Sequence, residues 1–408
     1  MKLTFLGGAS EVGSLGIVMD LDSVKLLLDY GMTPTTPPKF PMEAPPIDAF
    51  FLSHCHVDHS GMVPWVCSQY KVPMYTSYPT FDVSELLIYD SLKISKYEGY
   101  PLPYTKSDVR SLMDYANIVE VDDYCPIRDI EINFHSAGHV PGSLMAEISG
   151  DRTTLFTGDI NTIDTRLLSG TKPVKCDTLI TESTYAGRDH EFRLKIEKDF
   201  LEKIDEVVDR GGIAIVPAFA VGRTQELLMV LTHFDGEIWL DGMGDTVSRM
   251  YFKHPDFVSN VKKLKRAYRK VRLVKTSSDR KRAQKGDIIL TTSGMLDGGP
   301  VMEYLKWLKD DPKNALILTG YQVEGTNGRL ILDEGMMDFY GVKERLNCEI
   351  CFFDFSAHAG HKELVEFIRK CDPENLVLCH GDNRDLLREE FGGEMNTYMP
   401  KEGKPFEI

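Results

Sequence analysis

The chain has 408 residues, of which 42% are hydrophobic and 27% charged, and its net charge is −15. Its length allows about two to three domains with sizeable cores, and its composition is ordinary for a soluble globular protein. No apolar run approaches the roughly 18 residues needed to span a bilayer, and Met1–Leu6 meets Gly7-Gly8 too soon for a signal peptide, so the expectation is a cytoplasmic protein with no membrane partner. Eight scattered cysteines argue for reduced thiols in place of a disulfide framework. Cys348 and Cys351 form a lone pair on a strand-like stretch, read as core, with a structural zinc as the weaker alternative. Charge is unevenly spread: Val261 to Lys285 holds twelve Lys or Arg against one acid, a local balance of +11. By itself such a stretch is as often a solvated helix face plus a charged loop; beside a centre that cuts phosphodiesters it becomes a phosphate-tracking patch.

In chain order, residues 1–184 read as many short strands with few helices. Strands are expected at Leu3–Leu6, Gly16–Met19, Lys25–Asp29, Ala49–Leu52, Asp129–Phe134, Leu144–Ile148, Thr153–Phe156 and Thr178–Thr181, and helices at Val83–Tyr97 and Ser107–Tyr115. Asp29 ends an apolar strand, where it serves either as a strand-end cap or as an acceptor that orients a ligand histidine. The Ala49–Leu52 run then delivers Ser53-His54-Cys55-His56-Val57-Asp58-His59. Three imidazoles and a carboxylate so close together are hard to explain as packing, because buried polar rings need partners. Neutral imidazole and carboxylate suit zinc, and a catalytic site keeps one coordination position open. Downstream, Gly138-His139 offers an imidazole from a sharp loop, His135 is a weaker candidate, and Asp159 follows another apolar strand as a carboxylate able to bridge two metals.

From Tyr185 to about Leu346 helix and strand alternate, the pattern of a parallel sheet covered by helices. Helices are expected at Phe192–Asp209, Arg223–Leu231, Thr246–Phe252 and Pro300–Lys309, and strands at Ile213–Val216, Glu237–Leu240, Asp287–Thr291 and Ala315–Leu318. Residues 347–408 return to strands ending in histidine, at His358 and His380. The expectation is therefore a first domain at 1–184, an inserted α/β domain at 185–346, and completion of the first domain by 347–408.

These motifs resemble two nested families. His54-x-His56-x-Asp58-His59, His139, Asp159 and His380 resemble the ligand motifs of the metallo-β-lactamase superfamily. Glu182, His358 and His380, together with Pro217-Ala218-Phe219-Ala220-x-Gly222-Arg223-x-Gln225-Glu226, resemble the β-CASP ribonucleases. Ser293-Gly294-Met295-Leu296 and Val323-Glu324-Gly325-Thr326 are more similar to the archaeal cleavage and polyadenylation specificity factor branch than to ribonuclease J, with the expectation of a member lacking KH domains. The resemblance implies an α/β fold: a metallo-β-lactamase αββα sandwich with an inserted β-CASP domain.

It also implies two Zn²⁺ per chain, one on His54, His56 and His139 and one on Asp58, His59 and His380, bridged by Asp159. Such metals share a nucleophilic hydroxide and clamp a phosphate oxygen. The implied activity is endonucleolytic or 5′-to-3′ exonucleolytic cleavage of single-stranded RNA, leaving 5′-phosphate and 3′-hydroxyl ends. His358 becomes the general acid and Glu182 its orienter; Asp58 and Asp29 are counted with them in the catalytic set. Arg223, Ser293, Gly294, Arg329 and His361 become phosphate contacts. A homodimer and an RNA-processing or transcription-termination complex are the assemblies the resemblance suggests. The competing readings are a hydrolase of small thioesters or lactams, which needs neither the insertion nor the basic stretch, and a non-catalytic scaffold, which needs no intact ligand set.

Overall fold

Leu26-Leu27-Leu28 shows how the first part of the chain folds. Successive strand residues point to opposite faces, yet all three are buried, so this strand must be covered on both sides. Leu26 and Leu28 enter a core shared by two sheets, while Leu27 enters a second core that includes helical side chains. The computed structural model describes all 408 residues and divides them into two units. The first comprises Met1–Asp164, Ser169–Asp189 and His358–Ile408.

One seven-stranded sheet of this unit runs in the order Phe406–Glu407, Lys2–Gly7, Gly16–Asp20, Lys25–Tyr30, Ala49–Phe51, Met74–Thr76, Ala116–Ile118. The other runs Asn396–Tyr398, Asn375–Cys379, Thr178–Glu182, Thr153–Phe156, Leu144–Ser149, Ile130–Ser136, Tyr124–Ile127. Between them lie Phe5, Ile17, Phe51, Phe134, Phe156 and Ile180. The outer face of the first sheet packs Phe50 and Met74 on Val66 and Phe81 of the helices Val63–Tyr70 and Tyr78–Glu98. The outer face of the second packs Leu155, Leu179 and Leu376 on Leu364 and Ile368 of the helix His361–Cys371. Two sheets with helices outside each make the expected αββα sandwich.

The second unit comprises Thr165–Leu168 and His190–Ala357. Its six-stranded sheet, ordered Arg272–Leu273, Ile238–Asp241, Ile288–Thr291, Ala214–Pro217, Ala315–Leu318, Glu349–Phe352, is parallel throughout. One face buries Ile215, Ile289 and Leu316 with Val301, Leu305 and Ile331 from helices.

Several elements differ from expectation. The chain returns to the first unit at His358, later than the sequence pattern indicates. The reason is physical: Glu349–Phe352 pairs with Ala315–Leu318, and Phe353 and Phe355 pack on Phe200 at 5.7 and 5.2 Å, so that apolar run serves the second unit's core. The helix Val63–Tyr70, the hairpin Met336–Phe339/Val342–Arg345 and most of the helix Asn327–Glu334 occupy stretches for which the sequence pattern predicts no element. Cys348 is buried and Cys351 half-buried on the strand side, and all eight thiols are free. No helix is long and apolar enough to cross a membrane.

Phe51 is 1% exposed and meets Phe134 and Phe156 across the sandwich at 5.7 and 6.2 Å between ring centres. Phe51→Ala is expected to cost about 3–5 kcal/mol, read as a lower urea midpoint at unchanged slope. An unmoved midpoint would mean the sheets are not held together through this ring.

Candidate metal centre

The residues singled out in the sequence come from strand ends on one edge of the sandwich. Lys25–Tyr30 and Ala49–Phe51 are parallel neighbours, as are Thr153–Phe156, Thr178–Glu182 and Asn375–Cys379. Their carboxyl ends therefore share an edge, and Asp29, the histidine loop, Asp159, Glu182 and His380 sit there. After His56 the chain turns through the short helix Val57–Ser60, which buries His59. Gly31 makes room for it: a Cβ there would lie 1.7 Å from the Asp58 carbonyl oxygen. Asp29 and His380 adopt left-handed backbone conformations, with φ of +52° and +49°, a strained state that functional sites tend to retain.

Asp29 is fully buried and accepts three hydrogen bonds. Ser53 N–H donates to Oδ1 at 2.7 Å, and Oδ2 takes Ser53 Oγ–H and His59 Nδ1–H, each at 2.7 Å. Because the Ser53 hydroxyl proton is committed to Asp29, Ser53 Oγ accepts from His54 Nδ1 at 3.0 Å. One carboxylate thereby fixes two rings and turns the Nε2 atoms of His54 and His59 toward the cluster.

The cluster itself is dense. His56 Nδ1 lies 3.1 Å from both His54 Nε2 and His139 Nε2. Asp159 Oδ2 is 3.6 Å from His54 Nε2, 3.4 Å from His59 Nε2 and 3.8 Å from His139 Nε2. Its other oxygen is 3.2 Å from His380 Nδ1, and His380 Nε2 is 3.6 Å from Asp58 Oδ2. Of four groups whose ligand atoms lie within 4.8 Å of one another, two unite the expected ligands as donor sets: His54, His56, His139 and Asp159; and Asp58, His59 and His380.

His59 Nε2 is buried without a hydrogen-bond partner, and Asp159 Oδ1 and His380 Nδ1 face only each other, at 3.2 Å and without hydrogen-bond geometry, a costly state for polar atoms unless something else satisfies them. A metal fits that vacancy of bonding, and the imidazole–carboxylate donor chemistry suits it. Burial holds His54 well below the usual imidazole range and brings His56 down to about 4, so both rings are neutral and ligand-ready. Burial opposes charge on His380 as well, but the Asp159 carboxylate outweighs it and raises that ring to about 9. In the same way burial disfavours the Asp159 anion, and His59 and His380 together hold its pKa well below the usual carboxylate range.

Beside this cluster, His358 Nδ1 lies 3.1 Å from each Glu182 oxygen, and Glu182 also accepts the Ile160 N–H at 2.7 Å. The His358 ring is 4.5 Å from that of His139. Burial works against the His358 charge; Glu182 more than offsets it, and the pKa is raised.

The expected phosphate contacts fare differently. Arg223 is buried and not loop-exposed: it begins the helix Arg223–Val230, pairs with Glu226 at 3.0 Å, and shares that carboxylate with Arg193 at 2.7 Å. The arginine fork is used to close an internal ion triad over Phe355. Arg329 lies on the helix Asn327–Glu334, paired with Asp333 at 2.8 Å. Ser293 and Gly294 lie in the loop after Ile288–Thr291, where Gly294 packs against the Phe219 backbone. His361 accepts the Gly187 N–H at 2.9 Å and faces Glu390 at 3.3 Å. His135 pairs with Glu147 at 2.7 Å, outside both donor sets. Two contributors escaped the sequence reading: Ser53, and the Gly13 N–H, which meets His380 Nε2 at 3.2 Å. A serine and a backbone amide carry no sequence signal for such a role.

Residues 13–183 match the metallo-beta-lactamase superfamily profile, 224–331 the Beta-Casp domain, and 343–400 the Zn-dependent metallo-hydrolase RNA specificity domain. The chain is 37% identical to "Probable RNase MJ4" of Methanocaldococcus jannaschii across all of both chains. It belongs to the β-CASP family of the metallo-β-lactamase superfamily. Within this family it is also 35% identical to "RNase aCSPSF2" of Saccharolobus solfataricus, over 100% of this chain and 85% of that one. It is 33% identical to "Transcription termination factor FttA" of Methanocaldococcus jannaschii, over 98% and 70%. A solved structure, of a protein of unknown function from Enterococcus faecalis V583, shares the fold with a TM-score of 0.61 at 14% identity over 99% of both chains.

Because Asp29 orients two rings of this β-CASP protein at once, Asp29→Ala is expected to weaken metal binding by about 10–100-fold. Chelator competition with metal analysis reads it, and Ser53→Ala, which disturbs only His54, should cost less. Equal metal retention in Asp29→Ala and the parent would reduce Asp29 to a strand-end cap.

Proposed function

We propose that this protein is a zinc-dependent ribonuclease that hydrolyses RNA phosphodiester bonds to 5′-phosphate and 3′-hydroxyl ends. The observation that carries the reading is the pairing of two adjoining donor sets with a carboxylate-held imidazole beside them. In this reading His54, His56 and His139 hold one zinc, Asp58, His59 and His380 hold the other, and Asp159 serves both. Bound zinc supplies Lewis acidity toward a phosphate oxygen and a water reactive at neutral pH.

The remaining work falls to side chains. Asp29 keeps His59, and through Ser53 also His54, in the tautomer that presents Nε2. Glu182 holds the proton on His358 Nδ1, so the proton available for transfer is the one on Nε2. In-line displacement at phosphorus expels the 3′ oxygen of the upstream fragment, and His358 Nε2–H protonates it as it leaves. Glu182 stabilises the protonated ring before transfer. The relatives' names, RNase and transcription termination factor, support RNA as substrate and a processing or termination complex as its setting.

His358→Ala is expected to keep its zinc and lose about 10²-fold or more in turnover; loss of zinc in this variant would make His358 structural instead. Cleavage mode follows from single-stranded RNA labelled separately at each end, in 5′-triphosphate and 5′-monophosphate forms. Internal fragments from both forms identify an endonuclease, and mononucleotides from the monophosphate form alone identify a 5′-to-3′ exonuclease. An intact RNA with zinc bound would overturn the assignment.

A further inference from the structure

The metal centre leaves the basic stretch of the second unit unexplained. In that unit the helix Ser277–Ala283 and the last turn of the helix Pro300–Leu308 border an open hollow of about 500 Å³. Its rim includes Lys281, Arg282, Lys285 and Trp307. Trp307 is 46% exposed, an unusual position for an indole, whose large apolar face is normally covered. The contrast with Trp239 is internal to the same unit: that ring lies between Arg272 and Arg282, at 5.7 and 5.6 Å, but is only 2% exposed and belongs to the core.

The cations divide by occupation. Arg280 is engaged by Asp241 and Glu303, and Arg282 by Asp279. Lys281 and Lys285 are exposed and carry no ion pair. Next to Trp307 in the chain, Lys306 lies over the Tyr340 ring at 4.6 Å, and Tyr340 is 73% exposed. The surface therefore offers exposed aromatic rings with exposed lysines beside them, on a chain whose overall charge is −15. An acidic protein would be met by the cations, but it has no need of a bare indole face. Single-stranded nucleic acid uses both, stacking bases on rings and laying phosphates along lysines.

We infer that the hollow bounded by Lys281, Arg282, Lys285 and Trp307 is a contact for single-stranded RNA: a base stacks on Trp307 and the flanking phosphates meet Lys281 and Lys285. The inference rests on the ribonuclease reading for the choice of RNA, and it assigns the second unit a hold on substrate through side chains that are not part of the metal centre.

The test is fluorescence anisotropy of a 5′-labelled oligouridylate against the full zinc-loaded chain carrying His358→Ala, with salt varied. Adding Trp307→Ala should weaken binding about tenfold with the salt slope unchanged, and Trp307→Phe should restore most of the loss. Adding Lys281→Ala and Lys285→Ala together should lower the log–log salt slope by about 1.4, since each phosphate contact on a single strand contributes about 0.7. Unaltered affinity and slope in both sets overturn the inference and leave the hollow to a protein partner. Equal weakness of the Phe and Ala variants overturns the stacking. Binding is read without turnover, so an inactive parent enzyme would sink the ribonuclease reading while leaving this result to stand or fall separately.

Discussion

A single buried carboxylate sets the geometry of the centre. Asp29 receives three bonds of 2.7 Å from two residues of the histidine loop and sits in a left-handed backbone conformation to do so. Each bond alone is worth a few kcal/mol at most. Together they decide which nitrogen of His54 and His59 faces inward, and so which atoms the cluster can offer to a cation. The fold supplies the other half of the constraint. Parallel strands place their carboxyl ends on one edge, so residues distant in the chain arrive at one place without any local motif to bring them there.

What the sequence revealed follows from how locally each feature is encoded. The run from His54 to His59 is legible because its ligand candidates are neighbours, and the pattern of apolar strand then polar residue made Asp159 and His380 legible too. The second-unit strands Ala214–Pro217 and Ala315–Leu318 fall within a residue or match fully because continuous apolar runs between turn signals are a strong cue. Arg223 misled because charge on a glycine-flanked segment reads as exposure; only the tertiary structure reveals Glu226 and Arg193 closing on it. The return point of the insertion was hidden by Phe353 and Phe355, whose partner Phe200 lies far back in the chain. Ser53 was invisible for a simpler reason, since its role exists only through Asp29.

The two units divide their chemistry. Every residue of the donor sets, with Glu182 and His358, lies in the first. The cation-rich stretch lies in the second, where part of its charge is neutralised internally by Asp241, Glu303 and Asp279. Counting basic residues therefore overstates the charge available to a polyanion; the useful number is set by which side chains lack a carboxylate. The buried ion triad of Arg193, Arg223 and Glu226 shows the same economy in reverse, with arginine used for internal cohesion.

The placement of the strand Asn375–Cys379 has a consequence for biosynthesis. It lies inside its sheet, between Thr178–Glu182 and Asn396–Tyr398, and it delivers His380. A ribosome that has made everything up to Ala357 has produced neither this strand nor His358, so the nascent sheet has an open edge, the cluster lacks the His380 ring and Glu182 lacks its imidazole partner. The complete cluster thus forms only after the strand Asn375–Cys379 has been made and has entered the sheet.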